Sequence, residues 1–448
     1  MRRELHYFSI MPKTVLEGAE SRITIRPRSP HMRFAEGSVH HVTVIPMTEP
    51  ACALEQEKYP SYDVAAHDNA LTFSHTFTRE QEYNIWFTVD AEQHFINLSV
   101  YCLKPDLYGR LPLRGDLHVH STFSDGAEAP EEVAANYRRA GFDFMVVSDH
   151  SEYGGSVAAY DYWSGRPTDL TVVHGEEVHA PDNHIHIVNF GGDFSVNTLF
   201  QEDEERYYRE VRELESTLAI PPEAGRVNAF EYASCLWVYR HIQEGNGLAI
   251  FAHPYWTVDA YHVSEDMVRY QFKNGIFDAF ELVGGLYPKE NNMQVSLYMD
   301  ILAHGESRAA VVGSSDSHGT TPEPFEGSWY NNPVDNPHGF NEFQTIAFAP
   351  ANEKQALVDA VKAHYSVAVE KYTQDTYPRV YGEFRLVSYA LFLLSEYFPL
   401  HDELCYEEGR LMKALVAESE PDAYEKLAGL KGRVPRFQRA CFGVPAEG

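Results

Sequence analysis

Over roughly the first hundred residues, apolar and polar side chains alternate in short runs at 21–25, 39–45, 83–89 and 94–101, with stretches rich in Pro, Gly, Asp and Asn between them. A strand turns successive side chains to opposite faces, so this period of two predicts short antiparallel strands with one buried face. Residues 1–112 are expected to form a β-sandwich. His40-His41 lies on such a run and reads as surface strand rather than as ligand.

From Leu113 the pattern changes to apolar runs alternating with helical periodicity. Pro130-Glu131-Glu132 opens a helix and Gly141 ends it, since Pro suits a first turn and Gly the position past the end. An apolar strand follows at 142–148. The cycle recurs through strands at 170–173 and 184–190, a helix at 232–244 stopped by Gly245, strands at 248–252 and 277–283, a helix at 294–304 and a strand at 309–313. Alternation of this kind predicts an α/β fold with parallel pairing, and a closed barrel is preferred to an open sheet. The barrel is expected over 113–372, with an acidic helical insertion within 194–247 and a further helix at 353–364. Residues 373–448 are predicted to be a C-terminal helical extension packed on the barrel.

Composition narrows the function classes. The 448 residues are 44% hydrophobic and 23% charged, which describes a folded chain long enough for two domains. A net charge of −30, from 36 basic and 66 acidic side chains, opposes an extended nucleic-acid footprint or an anionic membrane partner. Most of these carboxylates serve solubility. Bound divalent cations would reverse the field inside an acidic pocket and admit a small anion. Cys52, Cys102, Cys235, Cys405 and Cys441 show no paired spacing of the zinc-ribbon or redox type, so they read as reduced, structural thiols. No apolar stretch follows the first residues, and a cytoplasmic location is the expectation. The oligomeric state is left open.

The chemistry begins at Asp116-Leu117-His118-Val119-His120. On a strand, His118 and His120 share a face and can reach one cation, although such a pair alone more often marks two partly exposed strand histidines. The support comes from other strand ends. Ser148-Asp149-His150, Gly175-Glu176-Glu177, Ala252-His253-Pro254 and Ser315-Asp316-Ser317-His318 each follow an apolar run. In parallel barrels that end carries the active site. Mixed imidazole and carboxylate donors suit zinc, manganese or iron rather than calcium. A Ser/His/Asp hydrolase is the competing reading, but no Gly-x-Ser-x-Gly elbow accompanies Ser148 or Ser315.

These residues resemble the polymerase and histidinol phosphatase (PHP) superfamily of metallohydrolases. Gly115 to Ser121 with Ser124-Asp125-Gly126 matches its opening motif. Ser148-Asp149-His150, the Gly-x-Glu of Gly175 to Glu177, His186-Ile187-Val188, Ala252-His253-Pro254 and Asp316-Ser317-His318 match the later ones in order. The resemblance covers 113 to about 320 and extends loosely to about 370. It implies a distorted barrel of seven strands and helices holding two or three divalent ions, of manganese, zinc or iron. By the same resemblance His118, His120, Glu177 and Asp316 would hold a first ion, Glu177, His186 and His253 a second, and Asp125, His150 and His318 a third. His184 and Glu176 adjoin these positions and stay open as alternative ligands. The β domain ahead of the barrel and the helical tail resemble the branch that includes carbaryl hydrolase, whose members can act on a carbamate ester.

The resulting expectation is a metal-dependent hydrolase of a small ester, with Glu177, Asp316 and His318 at the reaction centre. A phosphoesterase acting on a small phosphorylated or nucleotide-like substrate is preferred. A carbamate or carboxylic ester hydrolase and a non-catalytic metal-binding module are the alternatives. Tyr255 and Trp256 are candidates for an apolar substrate wall, or equally for packing. A histidine or aspartate of the metal shell, or the nearby Asp149, is a candidate to protonate the leaving group. Arg166, Arg240 and Lys289 are candidate phosphate contacts but read better as ordinary surface or ion-pair residues, and no basic residue stands out.

Overall fold

The computed structural model describes residues 3–48, 58–89, 94–257, 259–305, 309–320, 339–372 and 375–443, so Cys52 lies outside the described residues. Two compact units emerge, one of Met1–Leu111, Phe384–Leu404 and Gly432–Gly448, the other of Pro112–Glu383 and Cys405–Lys431. Among the described residues no helix is long and apolar enough to cross a membrane.

The first unit contains strands β1 (Phe8–Met11), β2 (Thr14–Leu16), β3 (Glu20–Pro27), β4 (Val39–Pro46), β5 (Ser61–Ala65), β6 (Leu71–Thr76), β7 (Gln81–Thr88) and β8 (Phe95–Leu103). They form a three-stranded sheet β1-β3-β6 and a five-stranded sheet β2-β8-β7-β4-β5. The alternation works as expected on β7, where Gln81, Tyr83, Ile85 and Phe87 are buried and the residues between them are not. Both sheets turn apolar faces into one cluster that includes Phe8, Ile10, Ile23, Ile25, Val42, Val44, Phe73, Phe87, Leu98 and Val100.

The second unit is mixed α/β. Its elements are β9 (Leu111–Asp116), α1 (Pro130–Arg139), β10 (Phe144–Val146), α2 (Gly154–Trp163), β11 (Thr171–Val173), β12 (Gly175–Val178), β13 (Ile187–Phe190), α3 (Val196–Glu202), α4 (Glu204–Thr217), α5 (Ala229–Glu244), β14 (Leu248–Phe251), α6 (Glu265–Asn274), β15 (Ala279–Val283), α7 (Pro288–Ala303), β16 (Ala310–Gly313), β17 (Phe343–Ala349), α8 (Lys354–Lys362), β18 (Ser366–Glu370) and β19 (Arg379–Tyr381). Helix α1 has Pro at its first turn, two acidic residues beside the N-terminal dipole, and Gly141 past its end at a φ of 97°.

These strands make two sheets, β11-β10-β9-β17-β18-β19 and β12-β13-β14-β15-β16. Pairing is parallel through β9, β10 and β11 and through β14, β15 and β16. The expectation of parallel pairing throughout is corrected at β13, which runs antiparallel to β12 and to β14. No helix separates β12 from β13, so the chain turns back on itself without the crossover that parallel pairing needs. Strands β17, β18 and β19 are also antiparallel. Single parallel bridges join the two sheets, Val119 past β9 to Ser317 past β16, and His150 past β10 to Glu177 in β12.

The 194–247 segment is helical, and its apolar faces enter the main core. Phe200, Tyr207, Val211, Trp237 and Val238 share one cluster with Ile187, Ala249, Phe251 and Phe280. The chain ends in α9 (Phe384–Glu396), α10 (Phe398–Val416), α11 (Ala423–Leu430) and α12 (Arg433–Phe442). The tail expected on the barrel is divided, because the boundary between the two units falls inside α10. In the first unit, Arg385 on α9 forms ion pairs with Glu80 and Asp106. In the second, Arg138 is fully buried and paired with Glu408 of α10 at 2.8 Å.

Candidate metal centre

The ends of β9, β10, β12, β14 and β16 converge on one acidic, histidine-rich cluster. His118 and His120 leave β9 on one face, as a strand requires. Asp116 ties this end to that of β16, accepting from Ser315 N at 3.0 Å, His118 N at 3.2 Å and Tyr137 Oη at 3.1 Å. Burial pushes its carboxyl up to about 7 against those donors. Two candidate ligands, His253 at φ 22° and Asp316 at φ 50°, hold backbone conformations that non-glycine residues rarely adopt. Such conformations persist where surrounding structure forces a side chain toward a site.

Glu177 is the centre of the arrangement. Its Oε1 lies 2.9 Å from His186 Nδ1 and 3.1 Å from His253 Nε2. Its Oε2 lies 2.5 Å from His150 Nδ1, 3.4 Å from His118 Nε2 and 3.6 Å from His120 Nε2. Asp316 Oδ1 lies 2.9 Å from His120 Nε2 and 3.3 Å from His118 Nε2, and Asp125 Oδ1 lies 3.3 Å from His318 Nε2 and 3.5 Å from His150 Nε2. The structure thus brings together His118, His120, Asp125, His150, Glu177, His186, His253, Asp316 and His318. His184 is exposed and enters none of these ion pairs. Glu176 is buried but points away, accepting from Asn189, Ser195, Val196 N and Asn197.

Several of these atoms are close without being bonded. His118 Nε2, Glu177 Oε2 and His186 Nδ1 are buried and lack an aligned hydrogen-bond partner. Unpaired buried polar groups cost roughly 1–3 kcal/mol each, so a cluster of them facing one another calls for something between them. Nitrogen and carboxylate donors that converge without donating to each other fit divalent cations. Protonation follows the same logic. Burial opposes the charge on Glu177 and Asp316, but neighbouring imidazoles, His186 and His118 for the first and His118 and His120 for the second, hold both carboxyls well below the usual range. His120 and His186 are driven down to about 3, chiefly by burial. Burial also opposes His118, yet Asp316, Glu177 and Glu281 raise it well above its ordinary value.

Residues that sequence reasoning missed support the cluster. Glu281, fully buried on β15, sets Oε2 3.0 Å from His118 Nδ1, which leaves Nε2 of that ring facing Glu177 and Asp316. Its carboxylate sits in an apolar run and carried no motif signal. His179, two residues beyond Glu177, lies with its Nε2 3.0 Å from His150 Nδ1. Alternation along the strand was the available signal for it. His262 packs its ring 4.5 Å from His186.

Other candidates find different places. Asp149 is buried and accepts from Ser121 N, Ser121 Oγ and Ser124 Oγ at 2.7 Å each. These bonds make it a clamp on the loop that carries Asp125. Ser148 Oγ bonds the backbone of Val119, and Ser315 Oγ meets Tyr137 Oη at 2.8 Å, so neither is poised as a nucleophile. Tyr255 packs in the main core, whereas the Trp256 ring stands 6.0 Å from His186 and 6.3 Å from His253. Arg166 stacks on Tyr162, Lys289 lies over Tyr261 and Arg240 is exposed. Every ion pair seen for Glu177 and Asp316 is with an imidazole.

No family model matches the chain. Over 83 residues it is 46% identical to the DNA polymerase/3'-5' exonuclease PolX of Bacillus subtilis, covering 17% of this chain and 15% of that protein. Over 80 residues it is 35% identical to the phosphoribosyl 1,2-cyclic phosphate 1,2-diphosphodiesterase of Eggerthella lenta, covering 17% of this chain and 30% of that one. The chain therefore spans less than a third of either curated relative. Among solved structures, a two-domain Bacteroides vulgatus protein containing a predicted PHP-like metal-dependent phosphoesterase aligns with a TM-score of 0.37 and 15% identity, over 58% of this chain and 65% of that one. An amidohydrolase from Chromobacterium violaceum aligns with a TM-score of 0.30 and 18% identity, over 46% and 87%. The chain is thus locally similar to two enzymes that act on phosphate esters of nucleic acid or sugar, and its ordered motifs resemble those of the polymerase and histidinol phosphatase superfamily.

Proposed function

We propose that the chain is a metal-dependent hydrolase that cleaves a phosphoester of a small phosphorylated or nucleotide-like substrate. The carrying observation is the set of buried, unbonded nitrogen and carboxylate atoms facing one another around Glu177. His118, His120, Glu177 and Asp316 would hold a first divalent ion, Glu177, His186 and His253 a second, and Asp125, His150 and His318 a third, with manganese, zinc or iron as the candidates. When bound, such ions supply Lewis acidity and lower the pKa of a water molecule.

The chain's own residues do the rest. Glu177 directs its two oxygens to different sets of imidazoles, so one carboxylate is shared between positions. Glu281 holds His118 in the tautomer that keeps Nε2 free of its proton. His318 sets Nδ1 2.9 Å from the Asp316 carbonyl, to which it can donate, and so presents Nε2 toward Asp125. The Trp256 ring covers the His186 and His253 side of the cluster and gives a substrate an apolar surface there. As part of the same reading, β9, β10 and β12 to β16 form a distorted seven-stranded barrel. The two inter-sheet bridges at the ligand-bearing ends support it. Residues 1–112 are then a separate β-sandwich.

One observation favours a second reading, hydrolysis of a carbamate or carboxylic ester. Among the described residues no lysine or arginine pairs with Glu177 or Asp316. The deciding experiment assays metal-loaded protein against paired panels of aryl phosphates, nucleotides and aryl carbamates, with His120→Ala as control. The proposal expects phosphoester turnover that the variant loses. Turnover confined to carbamates would overturn the phosphoester assignment, and equal turnover by His120→Ala would overturn the metal mechanism.

A further inference from the structure

We propose that His179 is a metal-ligating residue, donating Nε2 to a divalent cation that it holds together with Glu177 and His150. The inference rests on the metal-centre reading above, adds a donor that the family motifs do not assign, and moves His150 from the third ion to the one that Glu177 shares, through the Nδ1 that faces Glu177 and His179.

Three strand ends of this unit carry a donor, one intervening residue and a second donor: His118-Val119-His120, Glu177-Val178-His179 and Asp316-Ser317-His318. Side chains two apart on extended backbone share a face, so the argument that sends His118 and His120 to one place sends Glu177 and His179 to one place. The backbone here is also pinned. Asn197 accepts from His179 N at 3.2 Å through Oδ1, and its Nδ2 donates to the Glu177 carbonyl at 3.1 Å and to Glu176 Oε2 at 2.9 Å. Asn197 itself is buried, so a single amide fixes both residues relative to α3.

The side-chain geometry matches a shared ion. Donors that each sit ~2.0–2.2 Å from one metal lie within about 4.4 Å of each other. His150 Nδ1, Glu177 Oε2 and His179 Nε2 are separated by 2.5, 3.0 and 3.5 Å. All three ligand atoms form one compact candidate group. The His179 ring is held flat against His186, with centroids 4.0 Å apart and planes at 23°, which restricts its rotation. Glu177 Oε2 is buried without an aligned donor, as expected of an oxygen that serves a cation rather than an N–H. Two imidazoles and one carboxylate favour zinc or cobalt over magnesium.

The test uses the full chain, stripped of metal and titrated with Co²⁺ and Zn²⁺ against a competing chromophoric chelator. Visible cobalt absorption and metal equivalents retained after dialysis are recorded for wild type, His179→Ala, His179→Gln, His184→Ala and His120→Ala. The proposal expects both His179 variants to lose about tenfold or more in affinity for one equivalent and to change the cobalt spectrum, while His184→Ala matches wild type. Circular dichroism and melting confirm that the variants are folded, and His179→Gln keeps the bulk against His186 should His179→Ala not fold. Unchanged affinities and spectrum in folded His179 variants would overturn the proposal. If His120→Ala loses metal while they do not, only the assignment of His179 fails. If His120→Ala also retains every equivalent, the metal-centre reading fails with it.

Discussion

Replacing Glu281 by Gln perturbs the cluster without removing a direct ligand. Glu281 is fully buried, and its Oε2 contacts His118 Nδ1 at 3.0 Å, while Nε2 of the same ring lies 3.4 Å from Glu177 Oε2 and 3.3 Å from Asp316 Oδ1. In the proposed metal centre the carboxylate would select the tautomer and raise the basicity of the nitrogen offered to the cation. Gln keeps the shape but replaces a charge-assisted hydrogen bond by a neutral one. The two contribute ~1.5–3 and ~0.5–1.5 kcal/mol, so the loss is roughly 1–2 kcal/mol, or about 5- to 30-fold in affinity. Changes to outer-sphere partners of metal-bound histidines fall in a similar range, ~10–100-fold. Competitive titration of the stripped protein with Zn²⁺ or Mn²⁺ reads the effect directly, and the melting temperature of the metal-free variant separates it from unfolding. A folded Glu281→Gln protein with wild-type affinity for every equivalent would refute the reasoning.

Asp149→Ala should release the Ser121 to Ser124 loop, since it removes three hydrogen bonds at 2.7 Å. We expect a loss of about 1–3 kcal/mol in stability, measured by denaturant unfolding, together with weaker binding of the ion that needs Asp125. Glu176→Gln should cost stability on the same scale yet leave metal affinity near wild type, because its contacts run to Asn189, Ser195 and Asn197 and not to the cluster. For pH, burial opposes protonation of His150, but Glu177, Asp316 and Asp125 raise it from 6.5 to about 9. In the metal-free protein its contribution to stability is complete below 6.5 and lost as pH rises through about 9. Metal must displace that proton, so apparent affinity should climb over the same interval. Calorimetry in buffers of different ionisation enthalpy should detect the released proton, and a pH-independent affinity would contradict the assignment.

Much of the cluster was legible in the sequence because its donors are His, Asp and Glu placed after apolar runs, where few other roles compete. Glu281 was not legible, since it lies within the strand pattern of 277–283 and its partner His118 is far away in sequence. His179 was hidden by the Gly-x-Glu motif beside it, although the same alternation that marked His118 and His120 pointed to it. The hold of Asp149 on the 121–124 loop was not legible, because its burial and its hydrogen bonds to Ser121 and Ser124 depend on how that loop folds back. In the fold, the alternation of strands and helices was readable, but the direction of β13 was not, because the chain between β12 and β13 reverses without a helix. β17 went unnamed despite being buried at every position, since Gln344 and Thr345 interrupt its apolar residues and leave neither alternation nor a helical period.

The most direct test of the metal centre is elemental analysis of the full chain after purification, and again after stripping and reloading with manganese, zinc or iron, beside His120→Ala and Glu177→Gln. The account predicts two or three equivalents per chain in the wild type, with the largest loss in Glu177→Gln, whose shared carboxylate faces His118, His150, His186 and His253. Less than one equivalent in reloaded wild-type protein, or full loading of Glu177→Gln, would contradict it.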